Sequence, residues 1–288
     1  MLPSQHAHQK KQNRECLLKI ISNLKFLARQ GLPLRGDGSE ADSNFMQLMK
    51  LYAKDDPQLA EWLDKKTNKY VSHDIQNELL RVMALSVLRE IAHSIHESPF
   101  FSVMCDECVD VSNKEQLAIC IRWISNADLE VHEDVVGQAV RGEDTKETLA
   151  LVCDFYGEDF NRSQLQLHLD TLKTTFPEDL KSPTLSVHDV KKNIQSMSVA
   201  ERSLISEVVT LLQLILILPS TNAVSERTFS ARRRLKTYLR ATMNQERLNH
   251  LLLLHVHKEL TDKLSCIDVA SSFVADSEHR LSVFGRFI

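Results

Sequence analysis

The hydrophobic period of this chain changes twice, and few folds accommodate the result. Up to Glu97 apolar residues recur every three to four positions, as on one face of a helix. From Phe100 the pattern becomes short β-branched and aromatic runs separated by polar turns: FFSVMCDE, QLAICIRWI and EVHEDVVGQAV. Three consecutive strands in an antiparallel meander are expected there. After Thr145 the helical period returns and persists. Before the strands, helices are expected at 13–30, closed by Gly31, and at 43–54, 57–66 and 72–97, with Pro99 beyond the last. In the 72–97 segment Ile75, Leu79, Val82, Met83, Val87, Ile91 and Ile95 share one face. After the strands, helices are expected at 146–154, 162–175, 187–196, 198–218, 221–238, 244–260 and 266–276. Thr242 and Gln245 have capping-box spacing for the 244–260 helix. Only 7 Gly and 7 Pro occur in 288 residues, well below average use and in keeping with long helices. The expected class is α+β, predominantly α-helical.

Composition limits function more than it suggests one. With 43% hydrophobic and 26% charged residues the chain can bury one large core or two modest ones. The formal charge is −4, so affinity for nucleic acid would have to come from a local patch. The longest apolar run, Val208 to Leu218, is interrupted by Thr210 and Gln213 and is far short of the roughly 20 residues that span a bilayer. It reads as a core helix, and no membrane partner is expected. The six cysteines, at 16, 105, 108, 120, 153 and 266, are widely spaced, and the sequence opens without the apolar stretch of a secretory signal. Reduced, intracellular thiols are expected. No internal repeat is visible, and Phe176 to Pro183 is the best linker candidate.

Three residue groups could carry chemistry. Asp106 and Glu107, with Asp110, end the first strand. Carboxylates there could start a Mg²⁺ site, since that ion takes one or two carboxylates plus phosphate oxygens; the competing reading is a solvated turn. Glu226 is followed by a basic set, Arg227, Arg232, Arg233, Arg234, Lys236 and Arg240. On a helix these wrap round the axis, giving a solubilising face or, alternatively, phosphate contacts or a nuclear-import signal. Cys105-x-x-Cys108 lacks the second ligand pair of a structural zinc site, and residues three apart on a strand point to opposite faces. No metal site is expected. His250, His255 and His257 do not have the i, i+4 spacing of paired ligands and read as surface or interface histidines.

The stretch LPSTNAVSERTFSARRRLKTYL, with its core Ser225-Glu226-Arg227-Thr228-Phe229-Ser230, resembles the C-terminal signature of hAT-type transposases. SVMCDECVDVSNKEQLAICIRWI resembles the first strands of their RNase H-like domain. Residues from about 24 to 149 look like the N-terminal half, and those from about 153 to 288 like the C-terminal half, of transposase-derived proteins of the zinc-finger MYM-type group. The resemblance implies an RNase H-like fold in which Asp106 stands at the first catalytic acid and Glu226 at the last. It implies a C-terminal dimerisation region and a nuclear location.

This sequence departs from that family between the two blocks. The motif with the second catalytic Asp and the large helical insertion have no counterpart, because ETLALVCD runs straight into FYGEDF. Asp154 and Asp159 lie nearest, but their surroundings match the C-terminal block. The zinc finger by which relatives recognise DNA has no counterpart either. The middle Asp normally helps hold a metal pair roughly 3.5–4 Å apart, so Asp106 and Glu226 are expected to be vestigial acids. A vestigial Mg²⁺ site is the most they could form. The expectation is an internally deleted, catalytically inactive protein without a cofactor.

Its expected layout is an N-terminal helical region (1–98), partial RNase H-like strands (99–150), a helical connection (151–197) and the dimerisation region (198–288). It would act through homodimerisation or association with transposase-like proteins, nucleic acid being a weaker partner. The candidate seam is Leu248, Leu251, Leu252, Leu254 and Val256. The 198–218 helix, apolar nearly all round, must also be covered on all sides. The alternatives are a nuclear nucleic-acid-binding protein and a residual DDE-type nuclease.

Overall fold

A computed structural model describes residues 3–35, 42–109, 115–140, 167–168, 171, 187–219, 223–235 and 243–287. The helices are α1 (Pro3–Gln30), α2 (Asn44–Ala53), α3 (Pro57–Asp64), α4 (His73–His96), α5 (Val187–Ser196), α6 (Val199–Leu204) and α7 (Ser206–Ile217). They continue with α8 (Ala223–Leu235), α9 (Gln245–Val256), α10 (Lys258–Lys263), α11 (Cys266–Ala275) and α12 (Glu278–Phe284). The strands are β1 (Phe101–Val109), β2 (Glu115–Ile124) and β3 (Val131–Val140). The predominantly helical α+β class and the three-stranded meander are thus as expected. The expected helix at 146–154 and linker at 176–183 lie outside the described residues, as does all of 162–175 except 167–168 and 171.

Two compact units result. One combines Met1–Ile91 with Glu226–Ile288, and the other is Ala92–Ser225. The 198–288 block is therefore divided at Ser225/Glu226 between them.

The first unit is built round α1. Leu17, Ile20, Ile21, Leu24, Leu27 and Ala28 form a buried stripe at helical spacing. Helices α2, α3, α9, α10, α11 and α12 pack against α1. Burying each large aliphatic side chain contributes about 1.5–3 kcal/mol, so this stripe is the main apolar driving force of the unit. Polar ties fix the register. Lys25 Nζ donates to the carbonyls of Asp262 (2.9 Å) and Leu264 (2.8 Å). Arg29 pairs with Asp262 through two bonds of 2.5 and 2.7 Å.

Local chemistry sets the helix ends. Helix α1 closes in a Schellman motif, with Gly31 N–H on Ala28 O and Leu32 N–H on Leu27 O, both at 2.9 Å. Gly31 takes φ +69° there, a value glycine adopts without steric cost. Ser43, Asp56 and Ser265 cap α2, α3 and α11 by accepting an N–H from the third residue on. The cap of α9 is Asn244, accepting from Arg247 N–H at 2.9 Å, and not the Thr242 that spacing suggested.

Two expected helices are each broken once. The 198–218 segment divides at Ile205 (φ −123°, ψ 33°), with Ile205 itself buried. Ser198 and Glu201 form a capping box at the start of α6. Arg202 then donates to the carbonyls of Ile194 (3.0 Å), Gln195 (2.9 Å) and Ala127 (3.0 Å). These bonds pin α6 to the end of α5 and the β2–β3 turn. The 244–260 segment divides at His257 (φ −89°, ψ 59°). Helix α12 was not foreseen.

In the second unit the sheet order is β1-β2-β3, all antiparallel. One register shift falls between Ile119 and Cys120 of β2, whose partners are Gly137 and Val135, so the extra residue of the bulge, Val136, belongs to β3. Cross-strand partners share a face, so Ser102, Met104 and Asp106 line up with Arg122, Cys120 and Ala118. Helix α7 lies along β2 and buries Val208, Leu212 and Ile217 with Ile124, Leu129 and Ile194 in one core. Arg122 Nε donates to Leu216 O (2.9 Å) and Ser102 Oγ to Ile217 O (2.6 Å). Helix ends leave their last carbonyls unpaired, and here the sheet supplies the donors. Arg122 also pairs with Glu133 across the strands.

Candidate functional site

Asp106 lies within β1, which continues to Val109, and not on the turn after it. It faces Ala118 in register and is half-buried, so the solvated-turn reading fails for this residue. Asp110 lies outside the described residues, and of Glu107 only the backbone is described. Glu226 is exposed in the first turn of α8, where the helix dipole favours a carboxylate. Asp106 and Glu226 belong to different units. Among the described residues no group of three or more His, Cys, Asp or Glu is placed to hold a metal ion.

The basic set on α8 separates by burial. Thr228, Phe229, Ala231, Arg232 and Leu235 form the buried stripe of that helix. Arg232, 4% exposed, therefore drops out of the phosphate-contacting set, because its position on the helix turns it inward. Arg227, Arg233 and Arg234 are exposed, while Lys236 and Arg240 lie outside the described residues.

The candidate dimer seam is likewise internal. Leu248, Leu251, Leu252 and Leu254 are fully or almost fully buried in the first unit, and Val256 is half-buried. Helix α1 packs against α9, so these leucines serve the core of their own chain. Periodicity marked them as needing cover but could not say that α1 provides it.

Of the three histidines expected at a surface or interface, His255 is buried, while His250 and His257 are half-buried. His255 is 8% exposed, and its Nδ1 lies 2.9 Å from Arg29 O, which a neutral ring bearing a proton on Nδ1 satisfies. Burial lowers the His255 and His250 pKa values, and also that of His73, where Arg247 adds repulsion. The native unit thus favours neutral rings, whereas the unfolded chain protonates near 6.5. As pH falls through that value the unfolded state takes up protons first, and stability is lost. We expect the thermal midpoint to fall by roughly 5 °C between pH 7.5 and 5.5. A His250→Gln/His255→Gln variant should show a much flatter dependence. The lowered carboxylates, Asp56 held by Lys19 and Asp262 by Arg29, act only below that window.

Cys105 is an exposed thiol facing Ile119, and the Cys108 side chain is outside the description. Cys16 and Cys120 are buried and unbridged. No described helix is long and apolar enough to cross a membrane.

The sheet, the divided C-terminal block and the placement of Glu226 acquire a context from known proteins. Residues 1–166 match the family model described as "ZMYM1/FAM200, RNase-like domain". Residues 188–260 match the "hAT family C-terminal dimerisation region". The mouse protein named "52 kDa repressor of the inhibitor of the protein kinase" is 25% identical over 141 residues, covering 45% of this chain and 18% of its own length. Its human counterpart is 23% identical over 141 residues, with the same coverage. The similarity thus spans less than a fifth of either relative. No solved structure matches the chain.

Proposed function

Because the chain belongs to the ZMYM1/FAM200 RNase-like family and carries a hAT-type C-terminal dimerisation region, we propose that this transposase-derived protein works by protein association and not by catalysis. The observation that carries the proposal is the outward face of α7. Its inner face is used by the sheet, yet Ile215 and Leu218 are 41% and 63% exposed, with Leu204 before them at 67%. Half-buried Leu211 lies between them, so Leu211, Ile215 and Leu218 recur at i, i+4 and i+7. Val199 on α6 is 85% exposed. All these residues fall within the region matched to the dimerisation model. An apolar stripe of this kind favours a protein partner, either a second copy or a related transposase-like chain.

Absence of catalysis rests on the residues that a metal pair would need. The second acid of the transposase pattern has no counterpart in the sequence, and Asp106 and Glu226 are left without it. On this reading no cofactor is needed. The relatives carry the word "repressor" in their names, in keeping with the nuclear location proposed for this chain.

Sedimentation equilibrium tests the proposal. The chain should form a defined dimer, and Ile215→Asp/Leu218→Asp should give a monomer with an unchanged thermal midpoint. A monomeric parent, or a variant that still dimerises, overturns the assignment of this face. Nicking of supercoiled DNA that requires Mg²⁺ and is lost on Asp106→Ala and on Glu226→Ala would overturn the non-catalytic reading. Exposed Arg227, Arg233 and Arg234 support weak nucleic-acid contact as a second activity. Retention on DNA that falls steeply with salt would reveal it.

A further inference from the structure

The first unit contains a cavity of about 820 Å³, within the range of ligand sites. It lies between the 66–72 loop, the start of α4 and the start of α12. Among the described residues Lys66, Lys69, His279 and Arg280 line it, and no Asp or Glu does. Its apolar wall is Met46, Val71 and Ile75. Glu78 holds Arg280 through both carboxylate oxygens, which leaves Lys66 and Lys69 as the cavity's main positive charges.

The loop itself is unusual. Asn68 and Tyr70 take φ values of +57° and +55°, which cost a bulky side chain such as tyrosine energy and concentrate where ligands are held. The Tyr70 ring is anchored among Trp62, Phe273 and Phe284, with ring centres 6.4, 6.3 and 4.8 Å away. Its hydroxyl is buried and has no hydrogen-bond partner. An unmet buried hydroxyl is costly, and with essentially no accessible surface it is not open to the cavity. Tyr70 therefore serves the site by holding the loop that carries Lys66 and Lys69.

We infer that this cavity binds an acidic peptide segment of a partner protein, with carboxylates on Lys66 and Lys69 and an apolar side chain against Met46, Val71 and Ile75. Peptide is favoured over single-stranded nucleic acid because base binding uses open aromatic faces. Among the described residues no Phe or Trp lines the cavity, and the Tyr70 ring is already packed among others. This site is independent of the α7 stripe and of the reading built on it.

The test is fluorescence anisotropy with the full chain and a fluorescein-labelled Asp-Leu-Glu-Leu-Asp peptide. Saturable binding is expected, with Kd raised at least tenfold by Lys66→Glu/Lys69→Glu. Tyr70→Phe should leave Kd within about twofold of the parent and the thermal midpoint unchanged or higher, since it removes only an unmet buried hydroxyl. Absence of saturable binding, or parent-like binding by Lys66→Glu/Lys69→Glu, overturns the inference. Tighter binding of an oligothymidylate than of the peptide overturns it in favour of nucleic acid.

Discussion

Leu252→Asp is expected to unfold the first unit instead of producing a well-folded monomer. Leu252 has no exposed surface and lies on α9, which packs against α1. A carboxylate there has no basic partner designed for it, and burying it ionised costs more than about 4–5 kcal/mol. Whole domains are stable by about 5–15 kcal/mol, so the unit would lose much or all of its margin. The milder Leu254→Ala should cost about 2–5 kcal/mol through lost burial and the cavity left behind. Circular dichroism and limited proteolysis would register both. If Leu252→Asp instead gave a sharply melting monomer from a parental dimer, the α9 leucines would be an interface after all.

The second large effect is expected at Gly31. Alanine there would keep φ +69°, a left-handed backbone that costs an ordinary residue about 1–2 kcal/mol. Its added Cβ would also stand 2.9 Å from His255 Cε1 and 3.0 Å from Nδ1. The ring cannot retreat freely, because it is buried and bonded to Arg29 O. Together the two costs come to about 2–4 kcal/mol. Adding His255→Ala should remove the steric part and leave the backbone part. A double-mutant cycle would then show coupling of at least about 0.5 kcal/mol. A Gly31→Ala protein that melts with the parent would show that the close approach carries no energetic weight.

Much of the architecture was legible in the sequence because period is a local property. The strand runs differ from the helices in spacing over a few residues, and the stripe of α1 was visible from Leu17 to Ala28. The SERTFS core carries the family resemblance in six consecutive residues. Other features needed information that period does not hold. A burial pattern says that Leu252 wants cover without naming α1 as the cover. The break at Ile205 depends on Arg202 reaching carbonyls at Ala127, Ile194 and Gln195, one of them distant in sequence. Thr242 matched a cap by spacing, whereas the cap is Asn244. Arg232 looked like its basic neighbours and differs from them only in the face it occupies. Tyr70 and its loop carried no sequence signal beyond the nearby lysines.

The first unit also fixes an order of events during synthesis. Helix α1 leaves the ribosome early, but α9 to α12, which cover its apolar stripe, belong to the last part of the chain. All of Ala92–Ser225 is made in between. At bacterial to eukaryotic elongation rates that interval is on the order of ten seconds. During it a sticky amphipathic helix waits with only α2 and α3 of its partners made, while the intervening unit has time to form its local meander. The nascent chain is therefore a natural client for holding chaperones, and a stop codon before Glu226 would release a product whose first helix is left only partly covered.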